Sequence, residues 1–282
     1  MTENNLESQY KDCFVTFFDI LGFSELLRSR SPTHIAEILS VFRALSINGE
    51  EPTAIANASF QPPANGTRIE IVSDAIVRVR PNRIDPLTKM SELFDEMIVL
   101  KEIQIGCLQK GILVRGATTL GSMYIDDDPS GPIFGPALAE AYQIESREVI
   151  YPRIAIHGDV VARFKHEKNP LLAESYQVDV EMLKLLLARD GAGLYFIDYL
   201  RVNFEDQNWS AAETFDFLRK HRSLIRDGLR NHHGSIRRKF SWLQNYHNTS
   251  IDHAIQRGIG SESYPEAGEV SASALHALKI DD

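Results

Sequence analysis

Residues 67–80, TRIEIVSDAIVRVR, constrain this chain more than any other stretch. Two runs of alternating apolar and polar residues flank Ser73 and Asp74. Period-two alternation marks a half-buried strand, so the pair predicts an antiparallel hairpin with Asp74 at or beside its turn. An isolated hairpin is marginal in water, and the rest of the chain must supply further strands and covering helices. Residues 13–18, CFVTFF, form an aromatic and β-branched run suited to a buried strand ending at Asp19. Residues 112–120, 153–156 and 193–200 read as further strands. Apolar positions Ile35, Ile38, Leu39, Val41, Phe42 and Leu45 keep a helical period behind Thr33 as the expected N-cap. A long helix is expected from Pro86 to Gln109 with Gly111 as its stop, and another from Pro136 to Ser146. Residues 48–66, rich in Asn, Pro, Gly and Ala, read as an excursion between elements. The order predicts an α+β fold with helices on one face of a mostly antiparallel sheet. From Ala211 to His247 the chain is helical, charged and free of β-rich runs, so the body is placed at 1–205 and a C-terminal helical extension at 206–282.

Composition removes several classes. The 282 residues are 43% hydrophobic and 24% charged, which excludes disorder and low complexity. Thirty basic against 39 acidic side chains give a net charge of −9, which disfavours nucleic acid as a partner. Cys13 and Cys107 make no disulfide framework. The polar start MTENNLESQYKD is unlike a signal peptide, and no apolar run approaches the ~20 residues of a membrane span. The expectation is a cytoplasmic protein without a membrane partner. GxxxxGK[ST], GxSxG and HExxH motifs are absent.

Asp19 ends a buried strand and Asp74 sits at a hairpin tip. If the strands are neighbours, the carboxylates converge at one edge of the sheet, where they repel unless protonated or bridged by hard cations such as Mg²⁺ or Mn²⁺. The turn Leu21-Gly22-Phe23 offers backbone N–H groups to phosphate, and two metals can stabilise an in-line phosphoryl displacement. The plainer alternative makes Asp19 a helix cap, Asp74 an ordinary turn residue and Arg115 a solvent-facing strand charge. Asp126, Asp127 and Asp128 lack EF-hand spacing and read as a solvated loop. Arg237, Arg238 and Lys239 read as a solvated helix face, with an anion or partner contact as the lesser alternative.

Several segments also carry a resemblance. Residues 17–27, FFDILGFSELL, resemble the first metal motif of class III nucleotide cyclases, a strand followed by Asp-Ile-x-Gly-Phe and a helix. Residues 71–75, IVSDA, resemble the second, a Gly-Asp hairpin, with Ser73 in place of Gly. Residues 111–121, GILVRGATTLG, are similar to the strand whose Arg holds the triphosphate, and residues 131–145, GPIFGPALAEAYQIE, to the family's Gly-x-x-Val-x-x-Ala helix. These motifs cover residues 12–160 in family order, and their wording is most similar to the bacterial pyrimidine cyclases of Pycsar antiphage defence.

The resemblance implies the class III ferredoxin-like sheet and a uridylate cyclase. Such an enzyme converts UTP to 3′,5′-cyclic UMP and pyrophosphate, a second messenger read by a separate effector in antiviral defence. It further implies two divalent ions, Mn²⁺ or Mg²⁺, held by Asp19, Asp74 and the Ile20 carbonyl, with Arg115 on the β- and γ-phosphates. Glu70 takes the base-selecting position four residues before Asp74, where a carboxylate accepts the uracil N3–H, and Arg68 is a candidate donor to uracil O4. The second selecting position falls near Pro132, which has no polar side-chain atom. Ala139 and Gln143 depart from the family, standing where purine cyclases carry Asn and Arg. A head-to-tail homodimer with sites at the interface is implied. The alternatives are a cytidylate or purine cyclase on the same scaffold, or a cyclase-like nucleotide-binding module without turnover.

Overall fold

The computed structural model describes residues 10–48, 66–82, 89–128, 130–166, 183–201, 210–258 and 271–281. Most of the 48–66 excursion, the helix start at Pro86 and the junction at 205 lie outside them. The chain divides into two compact units, residues 1–107 with 112–197 and residues 108–111 with 198–282.

In the first unit the CFVTFF run lies within β1 (Lys11–Ile20), which pairs antiparallel with β3 (Ala75–Pro81) on one side and β4 (Val114–Ile125) on the other. β2 (Arg68–Val72) completes the expected hairpin. Beyond β4 come β6 (Ile154–Ile156), which leads into α5 (Gly158–His166), then β8 (Tyr195–Ile197) and β7 (Leu187–Arg189), giving the order β2-β3-β1-β4-β6-β8-β7, with the short β5 (Ile133–Phe134) also on β4. Only β4 and β6 run parallel among these pairs, so the unit is an α+β fold on a mostly antiparallel mixed sheet.

The central strands are buried on both sides, and both sides are covered. Phe14 and Phe18 of β1 and Ile76 and Arg78 of β3 share one face, where Phe18 meets Phe42 of α2 (Pro32–Asn48) edge-on at 5.7 Å. There buried Arg78 donates to both oxygens of buried Glu96 on α3 (Lys89–Gln109), at 2.9 and 3.1 Å. Its Nη1 donates to the carbonyls of Ser46 and Ile47 at 2.7 and 2.8 Å, so one guanidinium joins β3, α2 and α3. On the opposite face Cys13, Val15, Val77, Val79 and Met123 pack under Ala137 and Ala141 of α4 (Pro136–Arg147). This helix on the second face extends the one-sided layout read from the sequence; small alanines let it lie close to the strands.

Three local expectations change. The 112–120 strand continues to Ile125. The expected cap at Thr33 is replaced by Ser31, whose Oγ accepts from His34 N at 3.3 Å, and Pro32 takes the first helical position, where its missing N–H is harmless. The 193–200 strand shortens to β8 and gains the hairpin partner β7, because the Asp190 carboxylate accepts the N–H groups of Ala192 and Leu194, each at 2.9 Å, and closes a turn.

In the second unit, α6 (Ala211–Asn231) opens on a capping box of Ser210 and Glu213. His232 and His233 break it from α7 (Gly234–Gln256), and α8 (Ala272–His276) follows. Its centre is a hydrogen-bonded chain whose proton positions follow from one carbonyl. Leu278 O only accepts, so His247 Nε2, 3.0 Å away, carries hydrogen and its Nδ1 is an acceptor. His221 Nδ1 then donates to His247 Nδ1 at 3.0 Å, and Tyr199 OH donates to His221 Nε2 at 3.0 Å. Beside the chain, Tyr246 donates to Asp198 Oδ1 at 2.7 Å. Among the described residues no helix is long and apolar enough to cross a membrane.

Candidate active site

β1, the β2–β3 turn, the start of β4 and the end of α4 meet at one place. Asp19 pairs in register with Ala75 on one side and Arg115 on the other. Ile20 N donates to Asp74 O at 3.2 Å, which ties the hairpin turn to the end of β1. The turn has two residues, and Ser73 takes a φ of 57°, the left-handed position where glycine is usual. Beside Arg115, Gly116 permits the close approach of β1, since a Cβ there would lie 2.4 Å from Phe18 Cβ.

Arg115 donates from Nε to Asp19 Oδ1 at 3.0 Å and from Nη2 to Asp19 Oδ2 at 3.2 Å, a two-pronged clamp. Glu145, from the last turn of α4, places Oε1 2.7 Å from Arg115 Nε as an ion pair. Glu145 is 2% exposed, and that oxygen has no hydrogen-bond partner among the described residues. Two carboxylates therefore share one guanidinium, with the Asp74 charge near enough to act on it. Burial, the Asp19 charge and the Asp74 charge push Glu145 up to about 7, against the pull of Arg115. Burial and then Asp19 raise the Asp74 carboxyl above its ordinary value. Burial would lower the Arg115 pKa, but the Asp19 bond and the surrounding carboxylates carry it higher.

The structure thus brings Asp19, Asp74 and Arg115 together, with Ile20 beside them. It also adds Glu145, which the sequence reading passed over. A signal existed: Ala137, Ala141, Ile144 and Glu145 form the buried stripe of α4, and a carboxylate in such a stripe needs a partner. Gly22 has a φ of 86° in the turn after Asp19 and precedes α1 (Phe23–Ser29), but Leu21 N donates to Leu113 O at 2.8 Å. That amide is engaged within the fold, so a phosphate cradle would fall to Gly22 and Phe23. Arg68 is also redirected from the expected base contact. It donates to Glu70 Oε1 at 3.1 Å and to the carbonyls of Asp128 and Gly131 at 3.1 and 2.8 Å, pinning the loop before β5. Glu70, its partner, keeps a half-exposed side chain on the same sheet face as Asp19. The Asp126 and Asp128 carboxylates accept from nearby backbone amides of their own loop, as Asx turns do.

An all-oxygen set with excess negative charge and an orphaned carboxylate oxygen suits a hard divalent cation in its chemistry. Among the described residues, however, no three His, Cys, Asp or Glu side chains stand as a ready metal group, and both Asp19 oxygens are engaged by Arg115.

No family model and no curated protein matches the chain in sequence. Among solved structures, the guanylyl cyclase domain of the RhoGC fusion protein from the aquatic fungus Blastocladiella emersonii is similar at 15% identity and a TM-score of 0.42, covering 67% of this chain and 95% of that one. At that level nothing about the activity of this chain follows from it.

Proposed function

We propose that the first unit is a class III nucleotide cyclase, forming a 3′,5′-cyclic nucleotide and pyrophosphate from a nucleoside triphosphate, with UTP as the preferred substrate. The observation that carries the reading is the meeting of Asp19 and Asp74 at the end of β1 with Arg115 on the neighbouring strand. Asp19, Asp74 and the Ile20 carbonyl would hold the cations, Mn²⁺ or Mg²⁺. Bound there, such ions would supply acidification of the ribose 3′-hydroxyl and neutralisation of the departing pyrophosphate. Within the chain, Arg115 exchanges the Asp19 carboxylate for phosphate oxygens, and its planar fork serves both. Glu145 keeps Arg115 aligned during that exchange and takes or releases a proton as the local charge changes. Glu70, facing the same side as Asp19, supplies an acceptor to the base edge, while Arg68 fixes the adjoining loop rather than the base. The role in antiviral defence, with a separate effector reading the product, rests on resemblance alone.

A second reading, nucleotide binding without turnover, is favoured by the Arg115–Asp19 clamp and by Ala139 and Gln143 at the departed positions. One experiment separates the two. The purified chain is incubated with ATP, GTP, CTP or UTP and Mn²⁺, beside Asp74→Asn, and products are identified by mass spectrometry. Cyclic UMP from UTP, absent in the variant, supports the proposal. Another cyclic product replaces only the base assignment. Nucleotide binding without any cyclic product overturns cyclase activity.

A further inference from the structure

Residues 219–239 hold eight Lys and Arg against Asp227 alone, in a chain of net charge −9. Much of that charge is ordered along one helix. Arg219, Arg222, Arg226 and Arg230 recur on α6 at spacings of three and four, so they follow one face, and α7 returns with Arg237. Arg226, Arg230 and Arg237 line a cavity of about 740 Å³ that also meets Leu229 and Asn245. A smaller one of about 250 Å³ shares Arg226 and Arg230 and continues past Arg222 and Arg219. One wall is the segment at Ile280 and Asp281. Asn248 fixes it, donating to Ile280 O and accepting from Ile280 N, both at 2.9 Å.

The charges in this cleft are incompletely matched. Arg219 pairs with Asp216 at 3.0 Å, and Arg237 Nε donates to Leu229 O at 3.3 Å. Among the described residues, Arg222 Nε is buried without a hydrogen-bond partner, and neither Arg226 nor Arg230 takes part in an ion pair. Asp227 and Asp281 line the cavities too, so the field is positive without being extreme. We propose that the cleft between α6 and α7 binds a small phosphorylated ligand bearing at least two phosphate groups. Guanidinium groups along one helix face grip phosphate oxygens through paired N–H donors, while Leu229, Ile280 and Asn245 contact the organic part. The cavity lies within the size range of small-molecule sites. A long polyanion would have to continue over a chain whose remaining charge repels it, which favours a compact ligand. The proposal stands whether or not the first unit is a cyclase.

The test is calorimetric titration of the full chain with tripolyphosphate in EDTA, which silences any cation-dependent phosphate site. One site per chain is expected. Affinity should fall by about tenfold or more in Arg226→Ala/Arg230→Ala, and hold in the charge-matched Lys220→Ala/Arg238→Ala and in Arg115→Ala. Asn245→Asp, which places a negative charge in the cleft, should weaken binding as well and serves if the double variant fails to fold. No binding by the wild type, equal loss in the Lys220/Arg238 control, or displacement by equimolar sulfate overturns the proposal.

Discussion

Glu145 is the residue whose surroundings make the sharpest statement. Its burial, reinforced by the nearby Asp19 and Asp74 charges, holds its carboxyl pKa at about 7 despite the Arg115 guanidinium beside it. A carboxyl raised in the folded state contributes stability that is complete below its ordinary value of 4.5 and lost as pH rises through about 7. Glu145→Gln stays neutral, so thermal melts should show it gaining on the wild type between pH 5 and 8, by an amount of order 3 kcal/mol at the upper end. A variant that instead loses ground as pH rises would show that the ionised carboxylate is needed to hold Arg115. The same carboxyl explains why the site was only partly legible in the sequence. Asp19 and Asp74 could be read because each stands at a strand end or turn with a local pattern, whereas Arg115, at the start of β4, was read through the resemblance of residues 111–121. Glu145 acts through a partner thirty positions away on a different element, and the spacing of α4 reveals only that it is buried.

At the level of elements, the Arg78–Glu96 pair joins β3, α2 and α3 inside the unit. Arg78→Ala removes both hydrogen bonds to Glu96, which keeps only the longer ion pair to Arg80 at 3.6 Å, and should lower stability by about 3–5 kcal/mol, whereas Arg78→Met/Glu96→Leu should recover part of the loss, with Asp95 remaining as the partner of Arg80. Denaturant unfolding measures both, and equal destabilisation of the two variants would contradict the desolvation argument. Hairpin, β1 and α4 were legible because periodicity and turn residues agree there. The second covered face and the Arg78 bond were not, since an alternating run assigns charged residues to solvent, and only tertiary packing places Arg78 inside. β7 escaped because its three residues are too short to show a period. In the second unit, the His221–His247 chain fills every ring nitrogen with neutral tautomers, leaving no place for an added proton. Burial, with Arg222 nearby, lowers His247 to about 4, and burial and His247 lower His221 as well. Stability from this chain is complete above pH 6.5 and lost as pH falls toward 4, by roughly 3 kcal/mol from His247 alone. His247→Gln, which keeps a donor for Leu278 O but cannot gain a proton, should flatten that acid limb in denaturation curves; an unchanged slope would remove the pair as its source.

Across the molecule, the sheet face that carries Asp19 also exposes Val72 and Tyr142, 69% and 53% accessible, and Tyr142 rests edge-on against Phe17 at 5.3 Å. Apolar side chains left open around a charged site suit the head-to-tail homodimer that the resemblance to cyclases implies. Val72→Asp should shift the sedimentation profile toward monomer and reduce turnover in parallel. A dimer that survives with activity intact would place the contact elsewhere. The central place of β1 also has a consequence in time. β1 leaves the ribosome before either neighbour: β3 begins at residue 75 and β4 at residue 114. At about 5–20 residues per second, its aromatic edges wait several seconds for both partners. During that interval Asp19 has met neither Asp74 nor Arg115, and the bare strand is open to pairing with another nascent chain. The yield of soluble protein should therefore follow chaperone access during synthesis more closely than the stability of the finished fold.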